Sequence, residues 1–248
     1  MSGHNRWAKV KHVKAKQDKI KGKLFTKAIK ELTICAKNGG GDPALNASLR
    51  VAIQKAKDVN MPQDTIKKAI QRATGELPGV SYEELTYEGY GPGGCAIIID
   101  VLTDKKNKAV AEIRHILDRN GGKMAESGAV SYMFKKRACF TISKEATTED
   151  NLMSIVLDAG AEDIKDAGDV FEITGEPSAF EAIKTALDGA KFETLSGEIT
   201  KMPDTYVNLN KNDAEKMIKL EDALEEYDDV QDVYSNYDID EATAAEMA

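Results

Sequence analysis

Residues 138–201, ACFTISKEATTEDNLMSIVLDAGAEDIKDAGDVFEITGEPSAFEAIKTALDGAKFETLSGEITK, contain the alternation of strand and helix patterns that decides the fold. The strand patterns lie at 138–143, 161–166, 169–174 and 190–201. Apolar residues at helical spacing predict helices at 149–159 and 177–188. The order strand–helix–strand, strand–helix–strand is typical of the split βαβ sandwich. We therefore predict an α+β domain of ferredoxin-like type at residues 135–202.

The segments on either side of this stretch are two incomplete units. The first has predicted strands at 82–88 and 95–102, a helix at 107–119 and a strand at 129–134. The second has predicted strands at 205–209 and 229–235 around a helix at 211–226. Because each unit lacks a partner, we expect them to pair as one discontinuous α+β domain, residues 79–134 plus 203–238. Residues 239–248 form an acidic tail that we expect to be frayed.

Residues 1–78 are predicted to form a small bundle of three amphipathic helices with short connections. The first helix is placed at 24–37, because Gly22 interrupts the pattern before it and three glycines at 39–41 end it. The predicted fold class is therefore α+β in three domains, a basic helical N-terminal domain followed by two ferredoxin-like α+β domains.

Prolines mark the starts of the two helices that follow in this bundle. Asp42-Pro43 is expected to open the second helix, with Asp42 as its cap and Leu45 on its apolar side. The third helix begins at Pro62 and ends near residue 75. The turn between the two helices is expected to expose Met61.

Positive charge is concentrated at the N-terminus. Residues 1–72 hold 17 Lys or Arg and 5 Asp or Glu, a net charge of +12, whereas the remaining 176 residues carry −20. A cationic end on an acidic body is expected to bind a polyanion, and nucleic acid is the best candidate. The predicted contact residues are Arg6, Trp7, Lys9, Lys11, Lys14, Lys16, Lys19, Lys21, Lys23, Lys27, Lys30 and Lys37. This interpretation requires that the acidic body does not neutralise the cationic stripe on the first helix.

The types of these residues limit what such an interface could read. Lysine ammonium groups supply affinity but little discrimination between bases. An ammonium group is a point charge, without the fixed pair of parallel donors that a guanidinium group offers to a base edge. No helix carries Arg, Asn and Gln together on one face, as a recognition helix would. Trp7 either stacks on a base or anchors the N-terminal arm onto the bundle, and the anchor is favoured.

Two turns are weaker candidates for contacts with nucleic acid. The sequence Gly91-Pro92-Gly93-Gly94 leads into a strand rather than a helix, so a tight connection is favoured over a phosphate cradle. The alternative that the backbone of this turn approaches RNA or DNA closely is retained, and the same alternative is retained for the turn at 60–62. The candidate loop contacts are Asn60, Met61, Pro62, Gly91, Gly93 and Gly94.

Composition argues against several other classes of protein. No run of eighteen apolar residues is present, so a membrane span is not expected. The three cysteines are widely separated without metal-ligand spacing, which favours a reducing compartment, the cytoplasm. His115 has no Ser or Cys nucleophile near it in the sequence. We therefore predict no catalytic residue, cofactor, metal or small-molecule substrate, and no enzymatic activity.

A set of ordered motifs along the chain resembles those of the YebC family of bacterial regulatory proteins. They are Gly3-His4-Asn5-Arg6-Trp7, Lys21-Gly22-Lys23-Leu24-Phe25-Thr26-Lys27, Ala36-Lys37-Asn38-Gly39-Gly40, Asp42-Pro43, Asn60-Met61-Pro62 and Tyr87-Glu88-Gly89-Tyr90-Gly91-Pro92-Gly93-Gly94. The chain departs from the family pattern at Asn5-Arg6 and at Ala129. The resemblance implies three domains around a cleft and a non-enzymatic role.

Two functions follow from the resemblance and from the charge pattern. The first is a nucleic-acid-binding regulator of gene expression, specifically a DNA-binding transcriptional regulator, as family members are described. The alternative is a ribosome-associated translation factor that binds ribosomal RNA and assists the synthesis of proline-rich proteins, as relatives that include mitochondrial ones do. A lysine-rich arm without a base-reading helix favours the second on mechanism.

Overall fold

The computed structural model describes residues 17–247, with side chains from residue 23 onward except at 241, 242 and 245. Its α-helices are α1 (Gln17–Gly39), α2 (Ala47–Asp58), α3 (Gln63–Ala73), α4 (Lys106–Arg119), α5 (Glu149–Val156), α6 (Phe180–Gly189), α7 (Lys211–Glu225) and α8 (Glu241–Met247). Its strands are β1 (Glu83–Tyr90), β2 (Ala96–Thr103), β3 (Lys123–Met124), β4 (Phe134–Ser143), β5 (Ala161–Asp166), β6 (Val170–Gly175), β7 (Thr194–Pro203), β8 (Val207–Asn208), β9 (Val230–Ser235) and β10 (Tyr237–Asp238).

Helices α1, α2 and α3 form the predicted N-terminal bundle around one apolar core. Its largest buried members are Leu32, Leu49, Met61 and Ile66. Helix α1 runs through Gly22, so the predicted interruption there is wrong. A single glycine costs a helix only about 1 kcal/mol relative to alanine, and it leaves the backbone hydrogen bonds intact. The predicted end is confirmed, because Gly40 adopts the left-handed conformation (φ 85°) immediately after α1.

Helix α2 begins at Ala47, several residues later than predicted, and its cap is Asn46 rather than Asp42. The Asn46 side-chain oxygen accepts the N–H three residues further on at 3.0 Å, whereas Asp42 opens the preceding turn. The Asn46 amide also donates to the carbonyl oxygens of Cys35 and Gly40, each at 2.8 Å. Asn46 therefore supplies a donor to free carbonyl groups at the end of α1 and an acceptor to a free N–H group at the start of α2. Leu45, expected on the apolar side, is 86% exposed.

The turn between α2 and α3 buries its methionine. Asn60 takes a left-handed conformation with φ 61°, and the Met61 N–H donates to the Ala56 carbonyl at 2.9 Å. This geometry directs the Met61 side chain into the bundle, where it is 5% exposed. The expectation that the turn exposes Met61 is therefore wrong, because the helix-ending hydrogen bonds set its direction.

The central sheet has the strand order β3-β1-β2-β9, with antiparallel neighbours throughout. Strand β9 follows the residues of the second sheet in sequence, yet Ile99 of β2 pairs with Val233 of β9. Helices α4 and α7 contribute Ile113 and Leu220 to the core on one face of this sheet. Both flanking segments of the sequence thus contribute to a single sheet.

Residues 129–134, predicted as a strand, form instead a 3₁₀ turn at Ser131–Met133 followed by the start of β4. The buried Glu88 carboxylate accepts hydrogen bonds from the N–H groups of Gly128, Val130 and Ser131, at 2.7, 2.6 and 2.9 Å. Donors bound to a carboxylate cannot also pair with a neighbouring strand. The prediction at 129–134 is therefore wrong, and the short strand β3 forms that edge of the sheet.

The second sheet has the order β5-β6-β4-β7, again antiparallel, which is the split βαβ arrangement that we predicted for this stretch. Helices α5 and α6 pack on it through Leu152 and Ile183, against Phe140 and Ile173. The fold class is confirmed as an N-terminal helical region followed by two α+β sheet domains. The boundaries 1–78, 79–134 plus 203–238, and 135–202 remain our proposal.

The acidic tail forms helix α8 rather than the frayed segment that we expected. Met247 at its end packs against the core of the central sheet domain. The Lys211 ammonium donates to the Glu246 carbonyl oxygen at 2.5 Å, near the end of α8. These two contacts hold the tail against the start of α7.

Candidate nucleic-acid interface

The predicted contact residues fall into three groups by what the structure describes. Arg6, Trp7, Lys9, Lys11, Lys14 and Lys16 lie outside the described residues. Lys19 and Lys21 lie on α1, but their side chains are outside the description. The structure therefore bears only on the side chains of Lys23, Lys27, Lys30 and Lys37.

Three of these lysines contact the acidic body. The Lys23 ammonium donates to the Glu226 carbonyl at 2.8 Å, and Lys27 donates to the carbonyl of Gln231 at 3.3 Å. Lys30 donates to the carbonyl oxygen of Asp228 at 2.8 Å. These acceptors lie in residues 226–231, which comprise the turn after α7 and the first two residues of β9. Lys23, Lys27 and Lys30 therefore face this segment of the body, contrary to the requirement that the body leave the stripe open, while nucleic-acid binding by the predicted contact residues stays a prediction.

Lys30 is the most enclosed member of this stripe, at 5% exposure. It forms an ion pair with the Asp229 carboxylate, which also accepts hydrogen bonds from the Thr103 hydroxyl at 2.9 Å and the Tyr227 hydroxyl at 3.0 Å. Burial opposes ionisation of Asp229, yet these hydrogen bonds and the Lys30 charge hold its pKa below the usual value. Lys30 is therefore a structural residue that joins α1 to the central sheet domain.

Lys27 and Lys37 are less enclosed than Lys30. Burial lowers the pKa of Lys27, and the nearby carboxylates of Glu225 and Asp232 offset this only in part. Lys37 is exposed and donates to the Ser81 hydroxyl at 2.7 Å.

The contacts between the lysine stripe and residues 226–231 do have a signal in the sequence. Residues 225–232 read EEYDDVQD, an acidic segment similar in length to the segment that holds Lys23, Lys27 and Lys30. Sequence reasoning missed the pairing of these two segments, because no local pattern indicates contact between residues about 200 positions apart.

The glycine-rich turn is a tight connection between β1 and β2, as the interpretation favoured. The Gly91 N–H donates to the Cys95 carbonyl at 2.8 Å, and the Gly94 N–H donates to the Gly91 carbonyl at 3.0 Å. Gly91 is buried, and a Cβ atom added there would lie 2.6 Å from the Met217 sulfur on α7. Glycine is therefore required at position 91 because the backbone of the turn lies against α7, with no need for a ligand. Gly93 and Gly94 are exposed, with φ 71° and 79°.

Of the other candidate loop contacts, Asn60 and Pro62 are exposed and Met61 is not. The exposed pair flanks the buried methionine at the corner between α2 and α3. Of the three candidates at this corner, only Asn60 and Pro62 are therefore accessible to a ligand.

A second basic site, which sequence reasoning missed, lies on the central sheet domain. A pocket of about 420 Å³ opens between the end of α4 and the first half of α7. Its lining residues are Pro92, Arg119, Asn120, Gly121, Asp213, Lys216 and Lys219. Lys216 and Lys219 are three residues apart on one helix face, which is the signal that the sequence offered.

The described residues contain no metal-binding cluster, and burial keeps two of the three thiols neutral. No group of three or more His, Cys, Asp or Glu side chains between residues 23 and 247 is arranged to hold a metal ion. Burial raises the pKa of Cys35 to about 11 and that of Cys95 to about 12, so neither thiol ionises at neutral pH. Across the described part of the chain, no helix has the length and apolar character needed to cross a bilayer.

Comparison with known proteins matches both parts of the chain to one family. The sequence profile of the TACO1/YebC N-terminal domain matches residues 5–76, and the profile of the TACO1/YebC second and third domain matches residues 82–237. Proteins named probable transcriptional regulatory protein are similar over nearly the whole length. One from Desulfosudis oleivorans is 50% identical, covering 95% of this chain and 96% of that protein. Another, from Koribacter versatilis, is 49% identical over all of both chains.

A solved structure is similar as well. The crystal structure of a conserved hypothetical protein from Aquifex aeolicus superposes with a TM-score of 0.81 at 38% sequence identity. The match covers 92% of this chain and 94% of that one.

Proposed function

Because the chain belongs to the TACO1/YebC family, and its relatives are named probable transcriptional regulatory proteins, we propose that it is a non-enzymatic, nucleic-acid-binding regulator of gene expression in the cytoplasm. The observation that carries this proposal is the charge that precedes Lys23: residues 1–22 hold seven Lys or Arg and one Asp, a net charge of +6, whereas residues 73–248 carry −20. Such a polarity attracts a polyanion to one end of the molecule and repels it from the other.

The contacts of α1 change which residues we assign to this role. Lys23, Lys27 and Lys30 contact residues 226–231, so we assign them to joining the bundle to the body. The proposed contact residues are those that precede them, together with the exposed Lys37: Arg6, Trp7, Lys9, Lys11, Lys14, Lys16, Lys19 and Lys21.

Duplex DNA is the first candidate target, in line with the names of the relatives. The test measures binding of the full chain to duplex DNA between 50 and 200 mM KCl by electrophoretic mobility shift. With about five phosphate contacts the log–log slope against salt should be roughly −4 to −5. The double variant Lys9→Gln/Lys11→Gln should lower that slope by about 1.8, since each phosphate contact contributes about 0.9. A full chain that bound neither duplex DNA nor ribosomes in dilute buffer would overturn the proposal.

Structured RNA on the ribosome is the second candidate target. The observation that favours it is that lysines supply ten of the eleven cations in residues 1–40. Lysines bind phosphate groups without recognising bases, which suits a structured RNA that is recognised by its shape and backbone. Cross-linking in cells followed by sequencing of the bound nucleic acid separates the two targets. Ribosomal RNA in the cross-linked pool, with loss of proteins that contain proline runs after gene deletion, would select the translation factor. Recovery of genomic DNA fragments would select the transcriptional regulator.

A further inference from the structure

The pocket between α4 and α7 is a concentration of positive charge on an otherwise acidic body. Arg119 comes from the last turn of α4, while Lys216 and Lys219 project from α7. Asp213 is the single acidic side chain in the lining. Residues 73–248 as a whole carry −20, so a site with three cations and one carboxylate is opposite in sign to its surroundings.

The cations of this pocket are available to a ligand. Arg119 and Lys219 are exposed, and neither forms a hydrogen bond or ion pair through its side chain with another described residue. The Asp213 carboxylate accepts a hydrogen bond from the Asn210 amide at 2.9 Å, as part of the cap of α7. The nearest cation to Asp213 is Lys216, at 3.9 Å. The one carboxylate is thus occupied by the cap and neutralises the pocket only in part.

The wall of the pocket is positioned by packing. Pro92 belongs to the glycine-rich turn, which is seated on α7 because Gly91 lies against Met217. A Cβ atom added at Gly93 would overlap Leu209, just before α7. Gly121, whose φ is 79°, ends α4 beside Pro92. Pro92 and Gly121 therefore form one wall of the pocket, and packing of the glycine-rich turn on α7 fixes the position of that wall.

We propose that this pocket binds a phosphate group of a polynucleotide, as a second contact on the body of the molecule. A guanidinium group can bind phosphate oxygens through two parallel hydrogen bonds, and the two ammonium groups add point charges. A volume of about 420 Å³ accommodates a nucleotide-sized group. The inference rests on the proposed function, since it supplies a further contact for the same class of ligand.

The test compares two double variants that remove the same charge. Arg119→Gln/Lys219→Gln removes two cations from the pocket, and Lys106→Gln/Lys108→Gln removes two exposed cations from the start of α4. Fluorescence anisotropy with labelled 20-nucleotide single-stranded RNA and with duplex DNA gives affinity and salt slope. The pocket variant should weaken binding at least tenfold and lower the slope by about 1.4 to 1.8. The control variant should change the affinity less than threefold.

A second arm separates a polynucleotide from a free nucleotide as the source of the phosphate. Isothermal titration with AMP and with pyrophosphate should give no heat of binding in the wild-type chain. AMP binding that disappears in the pocket variant would show that the ligand is a free nucleotide and overturn the polynucleotide assignment. The charge-conserving variant Arg119→Lys/Lys219→Arg should keep RNA binding, which guards against a folding defect.

Failure of the pocket and failure of the proposed function are distinguishable in these experiments. If the wild-type chain binds RNA or DNA and the pocket variant behaves as the control, the pocket inference is wrong and the proposed function stands. If the wild-type chain binds no nucleic acid, AMP or pyrophosphate, both are wrong.

Discussion

Two sets of cations in this protein, each presented by helices, differ in what faces them. On α1, Lys23, Lys27 and Lys30 meet carbonyl and carboxylate oxygens of residues 226–231. At the pocket, Arg119 and Lys219 face open space. The comparison shows that charge of the same sign holds the molecule together in one place and stays available for a ligand in another. Counting charge along the sequence cannot distinguish these two roles, because the difference lies in what folds opposite.

The lysine stripe is also unequal within itself, which matters for the design of variants. Lys30 is buried and pairs with the partly buried Asp229, whereas Lys23 donates to a backbone carbonyl at an exposed site. Breaking a buried pair leaves one charge without its counterion, while an exposed contact is replaced by water. Reversing Lys23, Lys27 and Lys30 together would therefore perturb the fold and would not isolate nucleic-acid binding.

The largest expected effect comes from Lys30→Ala. This change leaves the partly buried Asp229 carboxylate without its cation and should lower the free energy of unfolding by about 3 kcal/mol. Urea unfolding followed by circular dichroism measures it, with the exposed Lys57→Ala as the control, expected within about 0.5 kcal/mol of wild type. If both variants had the same stability, Lys30 would belong with the open cations of the pocket.

Glu88→Ala tests whether a buried anion is as important for stability as Lys30. The Glu88 carboxylate accepts hydrogen bonds from three N–H groups in residues 128–131, and removing the carboxylate leaves those donors without acceptors. We expect a loss of about 2 kcal/mol in the free energy of unfolding, measured by thermal and urea unfolding. Glu88→Gln keeps the shape and one acceptor oxygen and should lose less. Equal stability of wild type and Glu88→Ala would contradict the role given to this carboxylate.

The pH dependence of stability should report the same engaged groups. Burial opposes ionisation of Glu88, but hydrogen bonds from Val130, Gly128 and Ser131 lower its pKa, and the pKa of Asp229 is lowered as well. Because both folded-state pKa values lie below the unfolded ones, their stabilisation is complete above the usual carboxyl range near 4. It should be lost as the pH falls through the lower folded-state values. Asp229→Asn should flatten this loss between pH 5 and pH 2, and an unchanged slope would show that Asp229 is not engaged.

The smallest expected effect is on stability at the pocket. Arg119→Gln/Lys219→Gln removes two cations that contact no described counterion and should change the free energy of unfolding by less than about 0.5 kcal/mol. The same urea experiment measures it beside Lys30→Ala. A loss above about 1 kcal/mol would mean that these cations are structural, and the contrast between the two sites would disappear.

Much of the architecture was predictable because it depends on periodicity. The βαββαβ order of the second sheet and the extent of α7 follow from apolar spacing, and the end of α4 follows from the glycines after it. Two of the errors occur where a side chain binds backbone N–H groups. Asn46 caps α2 and so sets its start, and Glu88 prevents residues 129–134 from forming a strand. Such competition for backbone donors has no periodic signature.

The candidate site was predicted less completely than the fold. The concentration of charge in residues 1–72 is visible in the sequence, but the distribution of partners is not. Lys30 and Asp229 are 199 positions apart, and the pocket unites residues of α4, α7 and the turn before β2. Each contact depends on the packing of two elements that are remote in sequence.

The sequence by itself determined most of the order of helices and strands, the α+β class and the sign of the charge at each end, because local spacing and composition control these properties. Only the tertiary structure decided which cations are neutralised, since a carboxylate or a carbonyl lowers the free energy of an ammonium group only when folding brings them within a few ångströms. The same +1 charge is therefore a structural contact at Lys30 and an open group at Lys219.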